Sequence, residues 1–184
     1  IPLMAKTQGN LQKFGQELLN EVHPMWLLRI LPNNVLAYTG ITYGFKGVNH
    51  NITNHAVGGM QAVIEAYRAI ESGQIQRAVV VGYDIGLEPQ AILYYDQLGV
   101  LSANDLKPFD KEHDGTVLAE GAGALILESE SSAKQRDAKC YAEIKAALSK
   151  TEGTHLFSLE SHGESLSCLI DEVLHSADLD PQDI

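Results

Sequence analysis

The stretch NITNHAVGGM, Asn51 to Met60, sets two glycines and the start of a helical pattern directly after a short extended run. That order suits a strand-to-helix turn presenting a nucleophile at a helix N-terminus. Such a terminus carries partial positive charge and unpaired N–H groups. A thiol held there loses its proton more readily, and the same N–H groups can bind a thioester oxyanion. Glycines at Gly58 and Gly59 let backbone approach a substrate closely. The residue in the nucleophile's place is Ala56, whose methyl group has no chemistry. His55, next to it, has acid–base chemistry and could line a pocket. Its plainer reading is a partly buried, hydrogen-bonded histidine.

The two cysteines do not supply a nucleophile in its place. Cys140 falls in a strand-like segment and Cys168 on the apolar side of a helical pattern, so both are expected to be buried and structural. They lie too far apart in sequence to suggest a disulfide framework and form no metal motif, which fits a reducing cytoplasm. Asp110, Asp114 and Glu120 are close in sequence, but a metal needs ligands that converge in space, and spacing alone does not supply that. No metal and no cofactor is expected. His162-Gly163 precedes a helical pattern and reads as a loop histidine.

The elements that must position these residues alternate between α and β. Residues 9–22 carry Leu11, Phe14, Leu18 and Leu19 at helical spacing, a stripe expected to pack against a neighbour. Pro24 separates them from PMWLLRIL, and Asn33-Asn34 can cap a helix running to about Tyr43. VNHNIT (48–53) reads as a short strand. From Gly59 to Ser72 the apolar side chains step by three and four, and Gly73 stands where a left-handed cap belongs. RAVVVGYD is a continuous apolar run, expected to be a buried parallel strand, so strand, helix and strand would make a βαβ crossover. GAGALILE and KCYAEIKAAL give two more strands around a charged helix, SSAKQRDA. A helix over about 165–177 ends in DLDPQDI, which reads as the lead-in to another strand.

Bulk properties are those of an ordinary globular chain: 184 residues, 45% hydrophobic and 7% aromatic. Thirteen basic against 24 acidic side chains give a net charge of −11. That balance argues against nucleic-acid or anionic-membrane binding, which needs concentrated Lys and Arg. No apolar run reaches spanning length. The opening Ile1-Pro2-Leu3 lacks an initiator Met, as expected of a processed product or a piece of a longer protein.

The most specific stretch is KPFDKEHDGTVLAEGAGALILE, Lys107 to Glu128. Its Pro108-Phe109-Asp110, Asp114-Gly115, Glu120-Gly121-Ala122-Gly123 and Glu128 form a pattern that resembles the β-ketoacyl-acyl-carrier-protein synthases of the elongating type, in the thiolase superfamily. GVLS before it and the NITNHAVGGM turn with its helix and following strand fit the same resemblance. So does AKQRDAKCYAEI, with Asp137 where a glycine is usual. The likeness covers nearly the whole chain, most weakly over residues 1–30.

The resemblance implies an α/β, thiolase-like layered αβαβα fold, represented here by only part of it. Residues 1–138 would be the later part of the N-terminal half, and 139–184 the connecting strand and start of the C-terminal half. In such synthases a Cys thiolate takes an acyl chain from a carrier protein. Two histidines, or a His pair supported by a Lys, then promote decarboxylation of the malonyl carrier. Those histidines would lie outside this chain. Carried over by position, Ala56 marks the absent nucleophile and Glu120 an organiser beside the pocket. His55, Gly58, Gly59 and Thr116 become candidate substrate contacts, Thr116 standing where an aromatic residue is common. His113 replaces an Arg usual between the two Asp residues, so an ion pair would be lost.

The expected function is a thiol-less, non-condensing partner subunit of fatty acid or polyketide synthesis, of chain-length-factor type, or a fragment. The alternatives are an active synthase carrying an engineered Cys→Ala change at position 56, a malonyl-carrier decarboxylase, and a purely structural interaction module. The expected partners are an acyl carrier protein with a phosphopantetheine-bound acyl chain and a second subunit, as homodimer or as heterodimer with an active synthase. No nucleic acid and no membrane is expected among them.

Overall fold

The computed structural model describes residues 6–154 and 159–184. The Ile1-Pro2-Leu3 start lies outside the described residues. The chain divides into two compact units, residues 1–53 and 54–184.

In the first unit, α1 (Leu11–Glu21) starts where the Asn10 side chain accepts the Lys13 N–H at 2.9 Å. It stops two residues before Pro24, with the Val22 N–H bonded back to the Leu18 carbonyl. Its stripe is only partly used, since Leu19 is 84% exposed. Next come α2 (Trp26–Ile30) and α3 (Asn34–Tyr43). Asn33 precedes α3, but its side chain makes no cap bond. Asn34 instead donates its side-chain amide to the Leu28 carbonyl at 2.5 Å, tying α3 to α2. Gly44, at φ +67°, ends α3 in the left-handed conformation. The strand expected over 48–53 is absent. A strand exists only when its backbone finds a partner strand, and no described strand pairs with this segment.

In the second unit a 3₁₀ turn, His55–Val57, runs straight into α4 (Gly58–Glu71). The apolar steps along α4 bury Ile64, and Gly73 caps the helix at φ +73°. β1 (Arg77–Ile85) pairs with β2 (Glu120–Glu128) in continuous antiparallel register, from Arg77↔Glu128 to Ile85↔Glu120. The expected βαβ crossover is therefore corrected: β1 has no parallel partner among the described residues, and its partner arrives from the far side of the chain. A β-branched run states that a segment is extended and apolar, and it is silent on direction. Nor is the run buried throughout, because Val80 is enclosed while Val79 is not.

Between the strands lies α5 (Pro89–Gln97), entered with proline in its first turn, where no N–H is needed. After β2, Ser129 caps α6 (Glu130–Gln135), accepting from the Ser132 N–H. Asp137 follows at φ +53°. Residues 139–148 form no strand, a second correction. They are held in part by a side chain, the Tyr67 hydroxyl of α4 donating to the Lys145 carbonyl at 3.3 Å. α7 (Glu164–Ala177) follows, and the DPQD segment closes as a 3₁₀ turn with an Asp180–Asp183 capping box. Both cysteines are exposed, contrary to their expected burial. A Cys on a strand or helix pattern is enclosed only if a second layer covers it, and the described residues place none there. No described helix is long and apolar enough to cross a membrane.

Candidate functional site

The turn heading α4 has the geometry of a presenting turn. His55 sits at φ +45°, a left-handed conformation that costs a side-chain-bearing residue about 1–2 kcal/mol. It brings the chain sharply round so that Ala56, Val57 and Met60 all stand exposed at the head of the helix. Two contacts hold the turn in place. The His55 ring meets Tyr95 of α5 edge-on at 6.0 Å, and the Asn54 amide donates to Gln61 one turn into α4 at 2.7 Å. His55 is thus exposed with its ring on an aromatic partner, which corrects its expected partial burial.

Val57, in the N-cap position, supplies no side-chain cap to α4. The preceding 3₁₀ turn takes the N–H groups here, Gly58 bonding the His55 carbonyl and Val57 the Asn54 carbonyl, while the helix dipole leaves partial positive charge at this end. Gly59 lies against β1, where a Cβ added at Gly82 would come 3.8 Å from its Cα. Gly58 is half-buried beside it. It is Gly82 whose missing Cβ lets the helix start close on the sheet, since a Cβ on Gly59 would meet nothing within 4 Å.

The remaining candidates assemble a separate structure. The segment around Ser102 and the segment around Thr116 zip together, Ser102 N–H to the Thr116 carbonyl and Thr116 N–H to the Val100 carbonyl, each at 2.8 Å. The Asp114 carboxylate accepts from the Ser102 hydroxyl at 2.5 Å and from the Asn104 amide at 3.2 Å. The Ser102 bond, helped by Asn104, holds the Asp114 carboxyl below the usual carboxylate range. Gly115 is sealed between them: a Cβ there would lie 2.6 Å from the Ser102 nitrogen. Asp110 braces the neighbouring turn, accepting the Glu112 N–H at 2.8 Å. His113 Nδ1 bonds the Asp110 carbonyl at 2.6 Å.

Asp110 and Asp114 therefore act on loops, not on a shared ion. Among the described residues no three His, Cys, Asp or Glu side chains are grouped to hold a metal. Thr116 is exposed and contributes its backbone to the zip, while Glu120 stands exposed opposite Ile85 at the end of the ladder.

Sequence reasoning missed Tyr95, Ser102 and Asn104. The last two were within reach, since hydroxyl and amide residues beside an Asp-Gly turn are ready donors to its carboxylate. It also missed the setting of Glu128, whose side chain is 7% exposed. Arg77 and Ser132 donate to one of its oxygens at 2.6 and 2.7 Å, and Arg136 to the other at 2.7 Å.

Comparison with known proteins fits this geometry. The family model for the β-ketoacyl synthase N-terminal domain matches residues 3–133. A 3-oxoacyl-[acyl-carrier-protein] synthase 2 from Mycobacterium leprae is 27% identical over 173 residues, covering 90% of this chain and 41% of that protein. Among solved structures, a type II polyketide acyl-carrier protein in complex with its ketosynthase bound to the hexaketide matches with TM-score 0.77. It is 31% identical, over 82% of this chain and 38% of that one. The ishigamide ketosynthase/chain length factor matches with TM-score 0.56 and 26% identity, over 68% of this chain and 30% of that one. The chain thus spans less than half the length of these relatives, and its mixed α/β structure is part of a thiolase-like ketosynthase fold. With the family model covering most of its residues and solved ketosynthases superposing on it, the chain belongs to the β-ketoacyl synthase family.

Proposed function

We propose that this chain is part of a thiol-less synthase-type subunit, one that shapes an acyl site beside an active synthase instead of condensing acyl units itself. The observation that carries the reading is Ala56, exposed on the turn that heads α4, with the positive end of the helix dipole behind it. That arrangement can polarise a thioester carbonyl, and it offers no atom to attack one. His55, Gly58 and Gly59 would border the acyl group, and Thr116 and Glu120 would belong to the surrounding wall. Residues 1–138 would then be the later part of the N-terminal half and 139–184 the beginning of the C-terminal half.

The partner in this reading is an acyl carrier protein bearing a phosphopantetheine-linked acyl chain, supported by the carrier complex among the similar structures. A second, thiol-bearing subunit would complete the dimer. The net charge of −11 opposes long-range attraction of an acidic carrier, so productive docking must rely on a local basic patch.

The full-length protein, purified alone, should leave acyl and malonyl thioesters uncondensed and should alter product length when added to an active synthase. Condensation by the protein alone would sink the reading. Ala56→Cys tests the turn itself: the new thiol should react with iodoacetamide faster than free cysteine, because the helix terminus stabilises its thiolate. Ordinary thiol reactivity would show that the turn does not present its residue as described.

A further inference from the structure

Away from the turn, Cys168 of α7 lines an open groove bordered by Leu148, and Lys150, from the irregular segment after Leu148, reaches its sulfur. The Lys150 Nζ is 3.7 Å from the Cys168 Sγ, and both carry their heads at the surface. Glu172, one helical turn beyond Cys168, accepts from the thiol at 3.5 Å and is also ion-paired with Lys150. A nucleophilic sulfur and a primary amine thus face each other across two separate segments, with a carboxylate shared between them.

We propose that Cys168 and Lys150 form a reversible oxidative cross-link that fastens the 149–154 segment to α7. Peroxide, the oxidant, converts the Cys168 thiol to a sulfenic acid, and one water is released as the sulfur loses two electrons. The neutral Lys150 amine then attacks that sulfur. The S–N bond forms, the S–O bond breaks, and the departing hydroxide takes the amine's proton to leave as a second water. A dithiol reductant reverses the step. Its first thiolate attacks sulfur and breaks the S–N bond, releasing the amine and leaving a mixed disulfide. Its second thiol resolves that disulfide, returning the Cys168 thiol while the reductant leaves oxidised.

The chemistry needs Lys150 without its proton. The hydrogen bond to Glu172 is the main reason the Lys150 ammonium is held above its usual range. Glu172 therefore restrains the cross-link while the ion pair is intact. The other titratable groups facing this groove, Glu164, Asp171 and His175, all lie on α7. Cross-linking should rise from neutral to mildly alkaline pH. Cys140 is the internal comparison: its thiol faces the Ala138 carbonyl at 3.9 Å, and Lys134 acts on it through charge, without a hydrogen bond.

The test is mild peroxide treatment of the full chain, followed by intact mass and peptide mapping with and without dithiothreitol. The expected product is lighter by two hydrogen atoms, joins the Lys150 and Cys168 peptides, and reverts with dithiothreitol. It should persist in Cys140→Ser and vanish in Cys168→Ser. Lys150→Arg, which keeps the charge and lacks a primary amine, should also abolish it. Glu172→Gln should accelerate its formation several-fold at neutral pH. The proposal is overturned if Cys168 goes only to the sulfinic acid, or pairs with Cys140. It is equally overturned if Lys150→Arg gives the wild-type products at the wild-type rate.

Discussion

At the scale of single residues, Glu128 shows how a short pattern holds a fold together. A carboxylate this enclosed would be costly unless charges and donors surround it. Here Arg136, Ser132 and Arg77 satisfy it together, and its pKa is lowered to about 2, first by the Arg136 hydrogen bond. The sign of the linkage follows. A depressed carboxylate pKa contributes stability above the unfolded value near 4.5, and that stability is lost as pH falls toward 2. Glu128→Gln should therefore lower the melting temperature clearly at neutral pH, while at pH near 2 the two proteins should melt together. Thermal denaturation across that range checks it, and a constant difference at every pH would contradict the assignment. Gly115 gives a second residue-scale prediction. Its missing Cβ would collide with the Ser102 backbone, so Gly115→Ala should cost about 1–3 kcal/mol by denaturant titration. Gly123→Ala, where nothing lies within 4 Å, should change stability by less than about 0.5 kcal/mol.

Elements were legible in the sequence to the extent that their signals were local. The helices around Leu18, Ile64 and the 165–177 segment were readable because their apolar spacing and caps lie within a few residues of each other. Asp137, which only the family resemblance marked as standing where glycine is usual, is at φ +53°, just past α6. Its N–H bonds the Lys134 carbonyl at 3.2 Å, and the Ala138 N–H bonds the Ala133 carbonyl at 2.9 Å, closing the helix end. Aspartate tolerates this conformation better than most residues but gains nothing from it. Asp137→Gly should then raise stability by about 0.5 kcal/mol, the relief of strain exceeding the extra chain entropy glycine carries. Asp137→Val should lower it, and urea midpoints of the three proteins would rank them. Strand direction and partners were not legible, because β1 meets β2 across more than thirty intervening residues. Nothing in RAVVVGYD distinguishes that partner from any other. The same limit produced the two expected strands at 48–53 and 139–148, where extended sequence found no ladder.

For the whole molecule, charge and exposed apolar surface pull in opposite directions. The candidate turn was legible because it is one contiguous stretch, whereas Tyr95 beside His55 arrives from another helix and carried no signal. Faces are also a whole-molecule property, and alternation in β2 could not reveal that Leu125 is 56% and Ile126 72% exposed. Ile41, Tyr43 and Leu19 are uncovered as well, an amount of apolar surface that a soluble chain rarely leaves free. The net charge of −11 keeps such chains apart at neutral pH by mutual repulsion. That protection disappears near the isoelectric point of about 4.9. The 184-residue chain should therefore bind a hydrophobic dye such as ANS while still folded, and should associate steeply as pH approaches that value. Replacing Leu125 and Ile126 by threonine should reduce both dye binding and association. Threonine is β-branched, a shape a strand accepts, so the melting temperature should hold. Light scattering against pH, with dye fluorescence on the same samples, separates the two contributions. If the double variant associates as wild type does, the β2 face is not the sticky surface, and the apolar side chains of residues 1–53 become the ones responsible.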